Sequence, residues 1–318
     1  MKAAIVRGRG LTPVCADFAE PVPEAGEARI AVTAAAISPV VRSRASGSHY
    51  SSSGHFPFVA GLDGVGRLDD GRRVYFIMPR APFGSMAERA VAPAAQCLPL
   101  PDDLDDITAA AIANPGMSSW AALVERARLQ AGETVLVNGA TGTAGRLAVQ
   151  IARHLGARKV IATGRDAEAL SAVAALGADV TIPLGAEDLA DRFQAQFAEG
   201  VDVVLDYLWG PSAAGLLMAG AKAGPEARPI RFVQIGAASG AEIALPAAAL
   251  RASAIALLGS GIGSVPPDRM IAAIGGVLQA ARPAGLRIAT TPVPLAEVGQ
   301  AWNRDDGRRT VLTIGPAA

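Results

Sequence analysis

The stretch that decides the fold reads TVLVN (134–138), GATGTAG (139–145), RLAVQIARHLG (146–156) and, after two residues, KVIATGR (159–165). Its first segment is apolar and rich in β-branched residues, which predicts a buried strand, and the glycine cluster predicts a tight turn. The next segment predicts a helix, and residues 160–163 predict a second strand. The stretch is therefore expected to form a βαβ unit with a dinucleotide-binding turn.

Three small residues carry the prediction of a dinucleotide site. Ala140, Gly142 and Gly145 occupy the glycine positions of the G-x-G-x-x-G pattern, with alanine in the first. Gly142 lets the backbone approach a pyrophosphate, Gly145 lets the helix pack close to the strand, and the N–H groups of the first helical turn face the phosphate. The alternative is a turn that binds nothing. The predicted cofactor contacts here are Asn138, Ala140, Thr141, Gly142, Thr143, Ala144 and Gly145.

The end of the second strand indicates which dinucleotide is bound. An NAD site places Asp or Glu about 20 residues beyond the glycine motif, whereas an Arg accommodates the 2′-phosphate of NADP. This chain has Thr163-Gly164-Arg165 there, and a guanidinium suits a phosphate. We therefore expect NADPH, with all three residues at the site. Asp166 leaves an alternative open, because it could pair with Arg165 or lie near the ribose.

Strands and helices alternate beyond this unit. A helix over 168–176 is followed by strands at 180–182, 201–205, 230–235 and 254–258, and the last helix spans 268–281. This alternation predicts an α/β fold with one doubly wound parallel sheet. Ligand loops at the strand ends are expected at 206–210, 235–238 and 259–263. The predicted cofactor contacts in the last two loops are Ile235, Gly236, Gly259 and Ser260.

The two ends of the chain have a different pattern. Short strands separated by turn residues are predicted at 2–6, 28–34, 64–68, 73–77 and 87–91, which indicates a β-rich domain. Helix begins near Leu104, breaks at Asn114-Pro115-Gly116, and resumes from Ser118 to Leu129. The tail over 287–314 has strand signals and should return to the first domain.

Composition excludes several classes of function. The chain has 318 residues, and its 29 basic and 29 acidic residues cancel, with no basic tract that would indicate nucleic-acid binding. No apolar stretch is long enough for a membrane span, and the first residues lack the apolar core of a signal peptide. Cys15 and Cys97 allow neither a disulfide framework nor a multi-cysteine metal site. We expect a soluble cytoplasmic protein.

Short motifs along essentially the whole chain resemble one family. They include Ser38-Pro39-Val40-Val41, Gly61-Leu62-Asp63-Gly64-Val65-Gly66, Gly84-Ser85-Met86-Ala87-Glu88, the 138–145 turn and Leu176-Gly177-Ala178-Asp179. The chain resembles the zinc-independent quinone oxidoreductase branch of the medium-chain dehydrogenase/reductase superfamily. The resemblance implies a GroES-like β domain (1–115 and 284–318), a Rossmann domain (116–283), an active site in the cleft between them, and a homodimer formed through Rossmann edge strands around 254–258.

The chain departs from the zinc-dependent members at the metal positions. Those members have Cys at the position of Val41 and His at the position of Leu62, and neither replacement can coordinate zinc. No four-cysteine cluster is present for a structural zinc site. His49 and His55 are interpreted as surface residues, because no third ligand lies nearby. We therefore expect no metal.

Without a metal, hydride transfer suits an acceptor that is already electrophilic, such as a quinone or a conjugated enone or enal. The protein would orient the acceptor and donate a hydrogen bond to the developing oxyanion or enolate. Tyr50 is the candidate donor, by resemblance to a Gly-Thr-Tyr stretch with one residue inserted, which leaves open whether His49 or Tyr50 faces the pocket. The alternative is a tyrosine on a surface loop. Ser38 replaces an Asn of many relatives and is the second candidate.

Other positions carry open interpretations. Ser118 matches a family Thr at the start of the interdomain helix and either touches the nicotinamide or caps the helix. Asp63 is interpreted as structural, and Arg309 as a surface arginine. Ala169 and Pro183 replace a Lys and a Tyr that bind phosphate in two relatives, so recognition of the 2′-phosphate falls to Arg165 and Thr163.

These observations favour an NADPH-dependent reductase of a small-molecule quinone or activated alkene. The alternative is an NADPH-binding protein with little catalytic activity and a structural or regulatory role. A short-chain dehydrogenase is excluded, because no tyrosine is followed four residues later by the lysine that such enzymes require.

Overall fold

The computed structural model describes residues 1–47 and 55–315. It separates into two compact units, one formed by Met1–Asn114 and Arg287–Ala318 and the other by Pro115–Leu286. They are called the terminal unit and the central unit below.

The strands are named in chain order. They are β1 (Lys2–Val6), β2 (Val14–Asp17), β3 (Glu27–Ala36), β4 (Phe58–Val59), β5 (Asp63–Leu68), β6 (Arg73–Ile77), β7 (Arg89–Pro93), β8 (Cys97–Pro99), β9 (Thr134–Asn138), β10 (Lys159–Gly164), β11 (Val180–Pro183), β12 (Val203–Asp206), β13 (Ile230–Gln234), β14 (Ile255–Gly259), β15 (Thr290–Pro294) and β16 (Arg309–Thr313).

The α-helices are named in the same way. They are α1 (Pro39–Ala45), α2 (Asp106–Ala121), α3 (Thr143–His154), α4 (Ala167–Ala174), α5 (Leu189–Glu199), α6 (Gly210–Ala223), α7 (Ala247–Arg251), α8 (Pro267–Ala280) and α9 (Val298–Ala301). A π-helical turn spans Ala122–Arg126, and short 3₁₀ turns span Ala94–Gln96 and Leu295–Glu297.

The central unit is built on a parallel sheet with the strand order β11-β10-β9-β12-β13-β14. Strands β9 and β12 are buried along their whole length, as expected of strands covered by helices on both faces. The order reverses between β9 and β12, which makes the carboxyl ends of these strands the place where such folds bind ligands. The predicted α/β fold with a doubly wound parallel sheet is confirmed.

The terminal unit contains two sheets whose strand pairs are antiparallel, apart from the parallel pair of β15 and β16. One has the order β2-β1-β4 and the other has the order β15-β16-β3-β5-β6-β8, with β7 also paired to β3. The chain end lies in this unit, because β16 pairs with β3 through Val311 and Ala36 and their neighbours. The core of the larger sheet contains Phe76 and Met86, both fully buried.

The predicted break at Asn114-Pro115-Gly116 is wrong, because α2 continues through Pro115. Proline costs an intrahelical hydrogen bond, but tertiary packing can override that cost. Both Pro115 and Gly116 are buried, and a Cβ added at Gly116 would lie 2.8 Å from Val277 Cγ1 on α8. Close packing of the two helices therefore holds the helix together where the local sequence predicts an end.

No helix in the described parts of the chain combines the length and the apolar character that crossing a membrane requires.

Candidate functional site

The glycine-rich turn leaves the carboxyl end of β9 and leads into α3. Gly139 has a φ of +90°, a left-handed conformation that favours glycine. A Cβ added at Gly145 would clash with the carbonyl oxygen of Gly139 and lie 2.7 Å from the Cα of Ala140. Gly145 is therefore required for the close packing of α3 against the turn.

Packing within the protein does not require a glycine at position 142. Its φ is −73°, it is exposed, and an added Cβ would come no closer than 3.7 Å to any atom of the protein. It is the N-cap of α3, and no side chain caps the helix there. The N–H groups of Thr143, Ala144 and Gly145 have no partner within the helix and carry the positive end of its dipole. This helix start is shaped to receive an anion.

A buried hydrogen-bond network supports the turn from below. The Thr163 hydroxyl donates to Asn138 Oδ1 over 2.7 Å and accepts from the Gly139 N–H at 3.2 Å. The Asn138 amide nitrogen donates to Asp206 Oδ1 at 2.8 Å and to Ser212 Oγ at 2.9 Å. Asn138 and Thr163 therefore bond other protein groups, and their predicted contacts with a cofactor stay predictions.

Asp206 is the acidic centre of this network. Burial raises the pKa of its carboxyl, and the hydrogen bonds from Asn138 and from the N–H groups of Leu208 and Trp209 lower it in part. The side chain of Leu208 packs on the turn, since a Cβ at Gly139 would lie 2.9 Å from its Cδ2. Arg146 also holds the turn, because its Nε donates to the Thr141 carbonyl at 2.9 Å. Asp206 and Leu208 are far from the turn in the sequence, so no local pattern predicts their contacts with it.

Arg165 follows β10 and is exposed at the rim of a cavity of about 830 Å³ in the central unit. Within residues 1–47 and 55–315 its guanidinium has no hydrogen bond or ion pair to another residue. The neighbouring Asp166 is the N-cap of α4, and its Oδ1 accepts from the Ala169 N–H at 2.6 Å. The described structure therefore contains no pairing of Asp166 with Arg165, which was one of the two alternatives. The Asp166 carboxylate instead stabilises the start of α4.

The remaining predicted contacts lie on the same edge of the sheet. The N–H groups of Ile235 and Gly236 donate to the Asp206 carbonyl over 2.8 and 3.1 Å, just beyond β13. Gly259 ends β14, and the N–H of Ser260 donates to the carbonyl of Gln234. The carboxyl ends of β9, β10, β13 and β14 thus contribute these residues to one edge, as parallel strands must.

Ser118 lies inside α2, so the interpretation as a helix cap is wrong. Its hydroxyl donates to the Pro115 carbonyl at 2.8 Å. The next residue, Ser119, lies 2.7 Å from the phenolic oxygen of Tyr207, the residue after β12, and 3.2 Å from the carbonyl oxygen of Ala144. Burial raises the pKa of Tyr207 to about 12. Sequence reasoning missed this hydroxyl cluster because its members are far apart in the chain.

A second cavity, of about 610 Å³, lies in the terminal unit. Its lining includes Val41 and Leu62, the two positions at which the zinc-dependent proteins that the sequence resembles have ligands, together with Phe58 and Phe83. Ser38 is not among its described lining residues. It is the N-cap of α1 and accepts a hydrogen bond of 3.2 Å from the Val41 N–H. Tyr50 belongs to residues 48–54, outside the described residues, and His49 lies there with it.

Asp63 lies at the centre of a buried polar cluster in the terminal unit. Its Oδ2 accepts a 2.6 Å hydrogen bond from Tyr75, and its Oδ1 accepts from the Asn114 amide at 3.3 Å. The interpretation of Arg309 as a surface residue is wrong, because it is 6% exposed. The Asp63 carboxylate helps to explain why an arginine can be buried here. Burial lowers the pKa of Arg309, and the negative charge of Asp63 raises it.

The described residues around Val41 and Leu62 do not fit a zinc site. Among the described residues no group of three or more His, Cys, Asp or Glu side chains could hold a metal ion. Val41 and Leu62 offer no lone pair to a metal.

Residues 144–279 match the family described as zinc-binding dehydrogenase, a segment that lies wholly in the central unit and excludes Val41 and Leu62. The "Probable NADPH-dependent quinone reductase tdiC" of Emericella nidulans is 29% identical over 96% of both chains. The quinone oxidoreductase of Pongo abelii is 32% identical, but the match covers only 60% of each chain.

A solved structure matches the whole fold. The quinone oxidoreductase of Thermus thermophilus, described together with its NADPH complex, has a TM-score of 0.81 and 29% identity, covering 99% of this chain and 100% of that one. The match extends over both units. The chain is therefore similar in sequence and in fold to quinone oxidoreductases of the medium-chain dehydrogenase/reductase superfamily.

Proposed function

We propose that the protein is an NADPH-dependent, zinc-independent reductase of quinones or activated alkenes. The observation that carries the proposal is the exposed Gly142 at the uncapped start of α3, on the same sheet edge as the exposed Arg165. A dinucleotide needs a phosphate site of this kind, and a 2′-phosphate needs a cation beside the ribose. The relatives named for NADPH and quinones support the same function.

The residues that would hold the cofactor lie along the carboxyl edge of the sheet. The pyrophosphate suits the N–H groups of Thr143 to Gly145, and the 2′-phosphate suits Arg165, with Thr141 and Gly164 beside them. NADPH, when bound, supplies the hydride. The residues proposed for the nicotinamide end are Ser118, Ile235, Gly236, Gly259 and Ser260.

The acceptor is proposed to bind in the cavity of the terminal unit. Apolar and aromatic walls suit a planar conjugated carbonyl, which needs no metal because it is already electrophilic. Gly47 and His55 flank the segment that carries Tyr50, and both line this cavity, which supports keeping Tyr50 as the proposed donor to the developing oxyanion. Ser38 stays the second candidate. That the reaction takes place in a cleft between the domains stays a prediction from the family resemblance.

We also propose a homodimer formed through β14. This strand is the edge of the parallel sheet, so one side of its backbone has no strand partner in the described chain. It is also apolar, with Leu257 41% exposed. An apolar open edge favours pairing with a second copy.

The first experiment measures the turnover of candidate acceptors by purified protein that has been treated with a chelator. NADPH oxidation is followed with 1,4-benzoquinone, 9,10-phenanthrenequinone and a 2-alkenal offered in parallel. We expect turnover that is insensitive to the chelator and faster with NADPH than with NADH. NADPH binding without turnover of any acceptor would instead support the alternative, a cofactor-binding protein with little catalytic activity. Loss of turnover on chelation would contradict the zinc-independent mechanism.

A further inference from the structure

The side chain of Tyr207 reaches from the carboxyl edge of the parallel sheet to two helices of the central unit. Tyr207 directly follows β12, and the last residue of that strand, Asp206, pairs with Asn138 at the end of β9. Its phenolic oxygen lies 2.7 Å from Ser119 Oγ on α2, which in turn lies 3.2 Å from the carbonyl oxygen of Ala144 in the first turn of α3. Tyr207 therefore lies at the reversal of strand order, where a fold of this kind binds its ligand.

Both ends of this tyrosine are held in place. Its N–H donates to the Asn138 carbonyl at 3.1 Å, and its own carbonyl accepts from the Ala238 N–H at 3.3 Å. A Cβ added at Gly236 would lie 2.7 Å from the Tyr207 carbonyl oxygen, so the loop after β13 packs directly against its backbone. The hydrogen bond with Ser119 holds the other end of the side chain. A side chain ordered in this way loses little further freedom when a ligand packs against it.

The part of Tyr207 that a ligand can contact is its ring. Burial raises the pKa of Tyr207 to about 12, and its partner Ser119 is fully buried, so the hydroxyl end points into the protein. The residue as a whole is only half-buried, which leaves its exposure to the ring and the backbone. A neutral ring whose hydroxyl is already bonded suits a flat, weakly polar group of a ligand rather than a phosphate.

The order of the strands indicates which part of a dinucleotide reaches Tyr207. Arg165 follows β10, the glycine turn follows β9 and Tyr207 follows β12, and these three strands are neighbours in that order. A cofactor with its 2′-phosphate at Arg165 and its pyrophosphate at the start of α3 therefore continues towards β12. Its nicotinamide ring is at the opposite end from the 2′-phosphate and so falls on the side of Tyr207.

We propose that the ring of Tyr207 packs against the nicotinamide ring of bound NADPH, and that Ser119 is the positioning residue that holds the tyrosine through its hydroxyl. The inference rests on the proposed function, because it adds a contact to the same cofactor site. A flat ring that packs on an aromatic ring takes a defined offset or edge-on arrangement, which orients the carbon that gives up the hydride. A hydrogen bond that only fastened α2 to the sheet would affect stability without distinguishing one ligand from another.

The test compares two ligands that differ only in the nicotinamide ring. Calorimetry measures the affinities for NADPH and for 2′-phosphoadenosine 5′-diphosphoribose, which keeps the phosphates but lacks that ring. Tyr207→Leu should weaken NADPH binding roughly tenfold and binding of the second ligand less than about twofold. The matched variant Tyr207→Phe keeps the ring and should weaken NADPH binding only about two- to threefold. Equal losses for both ligands in Tyr207→Leu, or an unchanged affinity for NADPH, would overturn the proposal.

A double-mutant cycle tests the role of Ser119. Ser119→Ala removes the partner of the phenol and should weaken NADPH binding as much as Tyr207→Phe does, while binding of the ligand without the nicotinamide ring stays unchanged. The two changes together should cost no more than either alone, because each removes the same hydrogen bond. Additive losses would overturn the role of Ser119. If Tyr207→Leu does not fold, the cycle decides alone: losses confined to NADPH support the contact, and their absence overturns it.

Binding by the unmodified protein separates this inference from the proposed function. If NADPH does not bind at all, the cofactor site fails and this inference fails with it. If NADPH binds but Tyr207→Leu affects the two ligands alike, the cofactor site and the proposed function stand, and the contact with Tyr207 fails.

Discussion

The phenolic oxygen of Tyr75 donates a 2.6 Å hydrogen bond to Asp63 Oδ2 inside the terminal unit. Tyr75 is fully buried, and Asp63 is 3% exposed. Burial raises the pKa of the Asp63 carboxyl, and the hydrogen bond from Tyr75 is the largest effect that opposes this rise. The tyrosine therefore stabilises the ionised form of a carboxyl whose ionisation burial disfavours.

Removing this hydroxyl should destabilise the protein. Tyr75→Phe should cost about 1.5 to 3 kcal/mol at neutral pH, the usual range for a hydrogen bond to a charged group. Because the folded-state pKa of Asp63 is raised, its contribution to stability is greatest below its unfolded-state pKa and is lost as the pH rises through the folded-state pKa. The variant raises that pKa further, so its deficit should grow from acid to neutral pH. Urea unfolding at a series of pH values measures this.

Tyr207→Phe is the matched control for this change. It removes the same hydroxyl from a residue whose partner is the neutral Ser119, at 2.7 Å. Burial raises the pKa of Tyr207 to about 12, so neither group titrates between acid and neutral pH. The control should lose about 1 kcal/mol with no pH dependence. A pH-independent deficit in Tyr75→Phe would contradict the coupling of Tyr75 to Asp63.

Gly142 and Gly145 of the turn should respond differently to replacement by alanine. Gly145→Ala places a Cβ in the space of the Gly139 carbonyl oxygen, so the backbone must shift, at about 1 to 3 kcal/mol. Gly142→Ala meets nothing closer than 3.7 Å and keeps an allowed φ, so stability should change by less than about 1 kcal/mol. Affinity for NADPH should fall in both. Thermal unfolding and cofactor titration measure the two effects, and unchanged affinity in Gly142→Ala would exclude close approach of a phosphate.

The glycine turn shows what local sequence can predict and why. The positions of Gly142 and Gly145 follow from the short segment that joins one strand to one helix, and the alternation of apolar segments predicts the parallel sheet. The continuity of α2 depends on Gly116 meeting Val277, which is distant in sequence. The burial of Arg309 depends on Asp63, and the hydroxyl cluster depends on Tyr207 meeting Ser119. Such contacts form only when the chain folds, so no local pattern predicts them.

Two leucines with similar exposure allow a test of the proposed dimer. Leu257 on the edge strand β14 is 41% exposed, and Leu250 on α7 is 43% exposed. Leu257→Glu should yield monomers, because it places like charges opposite each other across a paired edge, whereas Leu250→Glu should leave the dimer intact. Sedimentation velocity measures both. A monomeric parent protein, or a dimer that survives Leu257→Glu, would contradict pairing through β14.

The choice between NADPH and NADH should depend on Arg165. Arg165→Ala should weaken NADPH binding roughly 10- to 100-fold, the loss expected for a hydrogen-bonded charge pair, and leave NADH binding nearly unchanged because NADH lacks the 2′-phosphate. Arg165→Lys should give an intermediate loss, since it keeps the charge but not the planar fork. Fluorescence titration with each cofactor measures these affinities.

The neighbouring Asp166 provides the control for the Arg165 variants. Its carboxylate caps α4 through the Ala169 N–H at 2.6 Å, and serine can make the same kind of cap. Asp166→Ser should therefore keep the fold and the preference for NADPH, with a modest gain in NADPH affinity from the loss of one negative charge. Equal losses of both cofactors in Arg165→Ala would assign Arg165 a structural role. NADPH affinity could instead rise more in Asp166→Ser than it falls in Arg165→Ala. That result would show that Asp166 sets the preference between NADPH and NADH, because its carboxylate repels the 2′-phosphate.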